Sequence, residues 1–330
     1  VVRAVEFETI PTVPTADELL DRSLRRAAAK KKLKINVDRA NEEFVRAVAK
    51  AVHDKLESVV SSFPSFERLS PFYQEVTDIL VSLDRLKQSL GAVTWAADRV
   101  MTIGSGYAHD MRSAEDTGRP RRQAVARIAS VVHQVEDDLV YLNEARNILR
   151  KLPHVNEDDF TVVVAGYPNV GKSSFIRLVS TAEPEIAAYP FTTKGIIVGH
   201  RDIGKRERIQ FIDTPGVLER PTDERNPIER QAVSAIINTA DVVLFVLDAS
   251  EHCGYTLDDQ VRLLDEIRRL VDGPVVTVAN KADIQGIEGY PAMSTLTGEG
   301  VETVLDLLLT YRKDTTQASL REPPQPETPQ

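Results

Sequence analysis

The residues able to do chemistry in this chain concentrate in its second half. Phe160-Thr-Val-Val-Val-Ala165 is a short β-branched run that leads into Gly166-Tyr-Pro-Asn-Val-Gly-Lys-Ser-Ser174 and then a helical pattern. Strand, glycine-bracketed loop and helix is the order in which backbone N–H groups and a helix N-terminus surround phosphate. Gly166 and Gly171 let the backbone wrap the phosphates, with Tyr167, Pro168, Asn169 and Val170 forming the loop between them. Lys172 is placed to reach the β- and γ-phosphate oxygens. The Ser173 hydroxyl is placed to ligate Mg²⁺, and Ser174 completes the motif.

Three further segments fit around the same nucleotide. Asp213-Thr-Pro-Gly216 ends an expected strand, with Asp213 holding Mg²⁺ through water and the Gly216 amide sensing the γ-phosphate. Tyr189-Pro-Phe191-Thr192-Thr193-Lys194 stands where a switch loop belongs. One hydroxyl there must complete the Mg²⁺ shell, Thr193 being the expected ligand and Thr192 the alternative. Asn280-Lys281-Ala-Asp283 follows a third apolar run. A carboxylate at Asp283 can accept from guanine N1–H and N2–H, a pair of donors that adenine does not present, so GTP and GDP are the expected ligands. Lys281 would lie over the base, Asn280 would tie this loop to the phosphate loop, and the backbone at Ser294 and Thr295 would meet the guanine carbonyl.

The expected catalytic set is Lys172, Thr193 and Gly216, and the expected Mg²⁺ set is Ser173, Thr193 and Asp213. Val217 follows Gly216, where Ras-like enzymes carry a glutamine that orients water. Valine cannot do so, and the expected hydrolysis of GTP to GDP and phosphate is slow without an activator. Asn169 is a candidate ligand for a potassium ion that would stabilise charge instead.

These residues need a scaffold, and two kinds of pattern supply it. Apolar runs at 160–165, 241–248 and 274–280 alternate with helical patterns near 171–180, 227–239, 256–272 and 300–311. That alternation predicts an α/β Ras-like P-loop domain with a mostly parallel sheet and helices on both faces. Ile196–His200 and Arg208–Asp213 are expected to form a hairpin. Residues 1–156 read as an all-α antiparallel helical bundle instead. Its helices are expected from a capping box at Thr15–Glu18 to about Leu33, over Val37 to about Ser61, from Ser70-Pro71 to a stop at Gly91, from near Val93 onward, and from Pro120 to Leu152. The boundaries are thus 1–156, 157–313 and a disordered tail at 314–330, rich in Pro, Gln, Thr and Glu.

Composition sets limits. The 330 residues are 42% hydrophobic and 28% charged, with one cysteine, Cys253, and six scattered histidines. An internal disulfide is impossible, and no histidine pair has metal-site spacing. No apolar run reaches the roughly 18 residues of a membrane span, so a cytoplasmic, monomeric protein is expected. The net charge is −9, yet Arg22–Arg39 holds eight basic residues against Asp38, and Arg119–Arg127 is a second basic knot.

The phosphate-loop sequence, Phe191-Thr-Thr-Lys194, Val198-Gly-His200, Asp213-Thr-Pro-Gly-Val-Leu218 and Asp223-Glu-Arg-Asn226 together resemble the Obg-like GTPases, and most closely the nucleolar GTP-binding protein 1 family. The likeness continues at Phe63-Pro64, at His109–Asp116 and from Tyr141 to Pro153, covering roughly 5–312. It implies a nucleotide switch in large ribosomal subunit assembly, with the helical domain contacting rRNA through Arg22–Arg39 or Arg119–Arg127. The alternative is a nucleotide-gated ribosome-binding scaffold with incidental hydrolysis. Eukaryotic members continue in a long basic extension, so an archaeal form is implied here.

Overall fold

The computed structural model describes residues 7–31, 37–156, 158–187, 189, 195–204, 207–213 and 227–312. The chain divides into two compact units between His154 and Val155.

In the first unit the described helices are α1 (Ala16–Lys31), α2 (Val37–Ser62), α3 (Pro71–Val81), α4 (Leu83–Asp110), α5 (Gly118–Gln134) and α6 (Glu136–Leu149). The capping box forms as expected: the Glu18 amide donates to Thr15 Oγ1 and the Thr15 amide to Glu18 Oε2, each at 3.3 Å. Along α2, Val45, Val48, Val52, Leu56 and Val59 are buried at helical spacing. They pack on α4, and Gly104 permits the approach: a Cβ there would lie 2.3 Å from the Ala49 Cβ.

Two expected boundaries are corrected. Gly91 does not stop a helix and Val93 does not start one, because α4 runs unbroken from Leu83 to Asp110. The break falls at Ser82, whose φ of 55° interrupts the helix, and Asp78 Oδ1 accepts from the freed Leu83 amide at 2.9 Å. The expected long helix from Pro120 to Leu152 is two helices that part at Val135. Glu136, Asp137 and Asp138 then fill the first turn of α6, where carboxylates favour a helix start.

In the second unit the described strands are β1 (Phe160–Ala165), β2 (Glu185–Ala187), β3 (Ile196–Asp202), β4 (Arg208–Asp213), β5 (Val242–Asp248) and β6 (Val275–Asn280). They form one sheet in the order β2-β3-β4-β1-β5-β6. The β4–β1, β1–β5 and β5–β6 pairs are parallel; β2–β3 and β3–β4 are antiparallel. Every residue of β1 and β5 is buried, as their β-branched composition requires. The connecting helices are α7 (Lys172–Val179), α8 (Pro227–Ile237), α9 (Leu257–Leu270) and α10 (Val301–Leu309). From the central β1 the chain passes first to β2, β3 and β4 on one side, then to β5 and β6 on the other. That reversal opens a crevice at the carboxyl end of β1, where α/β sheets bind ligands. Among the described residues no helix is long and apolar enough to cross a membrane.

Candidate nucleotide-binding site

The loop from Gly166 to Gly171 fills that crevice and delivers the chain into α7. Its backbone conformation is set by residue type. Gly166 has φ 136°, and a Cβ would lie 2.6 Å from the Val246 carbonyl oxygen; Gly171 has φ 107°. Asn169, exposed at the loop's apex between Pro168 and Val170, takes a left-handed φ of 63°. Lys172 is buried, and its Nζ donates to the carbonyls of Gly166 at 2.9 Å and Tyr167 at 2.8 Å. The ammonium thus sits inside the ring of backbone that would surround phosphate.

Next to it, the Ser173 hydroxyl donates to Asp213 Oδ2 at 2.5 Å. Ser173 opens α7 beside Ser174 and Asp213 ends β4, so sheet and helix together set this pair. A hydroxyl and a carboxylate oxygen are hard donors of the kind Mg²⁺ prefers, and this pair could hold it. Among the described residues no group of three or more His, Cys, Asp or Glu side chains converges on a metal site. Phe191, Thr192, Thr193, Gly216 and Val217 lie outside the described residues.

The base loop is joined to the phosphate loop by Asn280. Its Nδ2 donates to the Val170 carbonyl at 2.7 Å and to Thr295 Oγ1 at 3.0 Å, and its Oδ1 accepts from the Thr295 amide at 2.9 Å. Gly171 is what lets Asn280 so close, since a Cβ there would lie 2.0 Å from Nδ2. Asp283 is exposed at the end of the loop. The Ser294 and Thr295 amides are both engaged inside the protein, by Glu299 O and Asn280 Oδ1. The next residue toward solvent is Leu296, 84% exposed.

Lys281 carries a feature the motif did not indicate. Its Nζ pairs with Asp248 Oδ2 at 2.6 Å, and Asp248 is fully buried. Burial opposes ionisation of that carboxyl. The Lys281 ammonium and the Ser250 hydrogen bonds outweigh it, so Asp248 sits below its ordinary range. Tyr255 was likewise unmarked in the sequence; its ring stacks on Tyr167 of the phosphate loop at 4.0 Å between centroids. An acidic residue closing a buried strand, followed by Ser250, was the one available signal for Asp248.

The basic residues of the helical unit also have described positions. Arg22, Arg25 and Arg26 are exposed on α1, Arg39 on α2, and Arg119, Arg122 and Arg127 on α5. Lys32 and Lys34 fall outside the described residues. Asn41 Nδ2 donates to Thr117 Oγ1 at 2.7 Å and Arg121 donates to Asn41 Oδ1, so the start of α5 is held beside the start of α2. Arg112 and Arg46 both bond Glu42 Oε1 at 3.1 Å.

Residues 7–156 match the family model described as the NOG1 N-terminal helical domain, and residues 161–281 match one described as a 50S ribosome-binding GTPase. An uncharacterized protein of Methanocaldococcus jannaschii is 41% identical over 289 residues, covering 84% of this chain and 81% of that protein. Nucleolar GTP-binding protein 1 of Saccharomyces cerevisiae is 35% identical over 291 residues, 85% of this chain and 45% of the yeast protein. The chain therefore spans about half the length of its eukaryotic relatives. A crystal structure of a Plasmodium falciparum nucleolar GTP-binding protein 1 is similar at 32% identity and TM-score 0.44, covering 51% of this chain and 94% of that one. With the helical domain and the GTPase domain matched in this order, the chain belongs to the nucleolar GTP-binding protein 1 family of P-loop GTPases.

Proposed function

We propose that this protein binds GTP and GDP with Mg²⁺, hydrolyses GTP, and acts as a nucleotide switch in large ribosomal subunit assembly, its helical unit contacting rRNA. The observation that carries the nucleotide reading is the Asn280 tie, which holds the base loop against the phosphate loop. That tie supports a single guanine nucleotide reaching from Asp283 to the Gly166–Ser174 segment. In this reading Lys172 moves its ammonium from two loop carbonyls to the β- and γ-phosphate oxygens. Ser173 and Asp213 would hold Mg²⁺, with Thr193 as the third ligand, and the bound ion would supply charge neutralisation for the transferred phosphoryl group. The Gly216 amide senses the γ-phosphate, and Asn169 offers an oxygen to potassium at the exposed edge of the loop. The ribosomal reading is supported by the names of the relatives and by the exposed basic residues of α1, α2 and α5.

Co-sedimentation of the chain with large-subunit precursors, in GDP and in a non-hydrolysable GTP analogue, tests the switch. Binding that is nucleotide-independent, or absent in both, sinks it. Val217 favours a second reading, a ribosome-binding scaffold whose hydrolysis is incidental. Single-turnover hydrolysis separates the two: stimulation by large subunits supports the switch, and no stimulation supports the scaffold.

A further inference from the structure

The loop after β5, residues 249–256, belongs to none of the sequence motifs, yet it touches both halves of the nucleotide site. Its anchor is Asp248, with a carboxylate that is fully buried. Oδ1 accepts from the Ser250 amide at 3.0 Å and the Ser250 hydroxyl at 2.5 Å. Oδ2 accepts from the Cys253 amide at 2.8 Å and from Lys281 Nζ at 2.6 Å. A carboxylate offers about four acceptor positions, so Asp248 is saturated inside the protein. It has nothing left for a nucleotide or a metal.

A buried charge is retained at a cost, and its effect falls on whatever it is paired with. Of the four donors, three belong to the loop itself. The fourth, Lys281, belongs to the base loop. The sheet explains the meeting: Asp248 and Asn280 are register partners on adjacent strands, so the residue after Asn280 leaves β6 beside the carboxylate. Lys281 takes a left-handed φ of 60°, a conformation costly for a side chain with a Cβ and sustained only where surroundings enforce it. Gln260 immobilises the other partner. Its Oε1 accepts from the Asp248 amide at 2.8 Å and its Nε2 donates to the Asp248 carbonyl at 3.0 Å. Nε2 also donates to the Tyr255 carbonyl at 3.1 Å, and the Tyr255 ring stacks on Tyr167. One loop thus fixes a residue of the phosphate loop at one end and the lysine of the base loop at the other.

We propose that Asp248 is the positioning residue for Lys281 in guanine-nucleotide binding, holding its ammonium so that the lysine stem forms a fixed wall of the base site. This rests on the reading of Asn280–Asp283 as the guanine-binding loop. A lysine side chain released from the carboxylate regains rotamer freedom that binding must then remove, which sets the expected loss at about tenfold in affinity.

The test is a double-mutant cycle on the full chain, read by fluorescence titration with mant-GDP. Asp248→Asn weakens binding about tenfold in the wild-type background and by less than about twofold in Lys281→Met, because its effect passes through Lys281. An equal loss in both backgrounds, or none in the wild type, overturns the assignment. If Asp248→Asn fails to fold, two variants that spare the buried carboxylate decide. Lys281→Arg keeps a cation for Asp248 and stays within about threefold of wild type, whereas Lys281→Met keeps the apolar stem, loses the cation and binds about tenfold more weakly. Equal affinity of the two overturns the proposal. A wild-type chain that binds mant-GDP no better than mant-ADP sinks the guanine reading and the Asp248 assignment with it. A clear guanine preference with a flat cycle sinks the Asp248 assignment alone.

Discussion

Asn280→Ala tests most directly whether the two loops form one site. The side chain makes three hydrogen bonds, to the Val170 carbonyl, the Thr295 hydroxyl and the Thr295 amide. Alanine removes all three. Val170 is fully buried, so its carbonyl has no water to replace Nδ2, and an unsatisfied buried group costs about 1–3 kcal/mol. Thr295 is half-buried and recovers part of its loss from solvent, which adds about 1 kcal/mol. The expected total is about 2–4 kcal/mol, divided between stability without nucleotide and affinity for it. The share left to stability, about 1 kcal/mol, lowers the nucleotide-free melting temperature of the second unit by about 2–4 °C, as expected for a domain of this size. GDP affinity falls about 10- to 100-fold, because the nucleotide must now align loops that Asn280 had aligned. Calorimetric melting and mant-GDP titration of the same preparation measure the two parts. Asn280→Asp loses at least as much, since a carboxylate oxygen would face the Val170 carbonyl. A variant that melts within a degree of wild type and binds GDP within threefold would refute the reasoning.

Four further outcomes are expected. Gly104→Ala gains about 1 kcal/mol of helix propensity, but its Cβ would press on Ala49 at 2.3 Å; overpacking of about 1–3 kcal/mol wins, and urea unfolding shows a net loss. Gly91→Ala, with open space around it, is stabilising by about 0.5–1 kcal/mol in the same assay, and the reverse order of the two would contradict the α2–α4 packing. Asp248 has a depressed folded-state pKa, so its stabilisation is present above the unfolded value of about 3.9 and disappears as pH falls through the lower folded value. Melting curves between about pH 5 and 3 should therefore flatten in Asp248→Asn, and identical acid slopes would exclude a stabilising pair. Turnover of GTP should be faster in KCl than in NaCl, with the difference lost in Asn169→Ala; equal rates in both salts remove the potassium role.

The strands were legible because burial on both faces demands short continuous runs dominated by apolar, β-branched and aromatic residues, and those at Phe160–Ala165 and Val242–Asp248 are of that kind. The helix ends were less so. Ser82 breaks α3 from α4 without glycine or proline, through a side-chain cap by Asp78 that periodicity does not register. Gly91 misled in the opposite sense: an exposed helical glycine costs about 1 kcal/mol, too little to end a helix that packs along α2. β2 has three residues, too few to show alternation. In the site, the residues of local motifs were named from sequence because loop chemistry needs them at fixed spacing. Asp248, Gln260 and Tyr255 were not. Their partners are set by strand register and by stacking across the crevice, with Lys281 33 positions from Asp248 and Tyr255 88 from Tyr167.

What the paired residues of the site share is that they are held in place before any ligand enters. Lys172 already bonds two carbonyls of the loop it serves, so that loop is held open by its own cation. On the proposed reading, phosphate binding would exchange neutral acceptors for charged oxygens at one ammonium, and a charge-assisted bond is about twice as strong as a neutral one. The exchange favours the nucleotide without requiring the backbone to reorganise. Ser173 and Asp213 are set against each other in the same way, as Asn280 is against Val170 and Asp248 against Lys281. Each pair joins two separate segments around the crevice, and each spends an internal hydrogen bond on geometry that a free loop would have to gain at the moment of binding. Order supplied in advance raises affinity for whatever fits and does nothing to distinguish GTP from GDP. In the proposed switch that distinction must therefore come from groups that meet the γ-phosphate, which is why Thr193 and Gly216, rather than the braced base loop, are the positions where nucleotide state would be read.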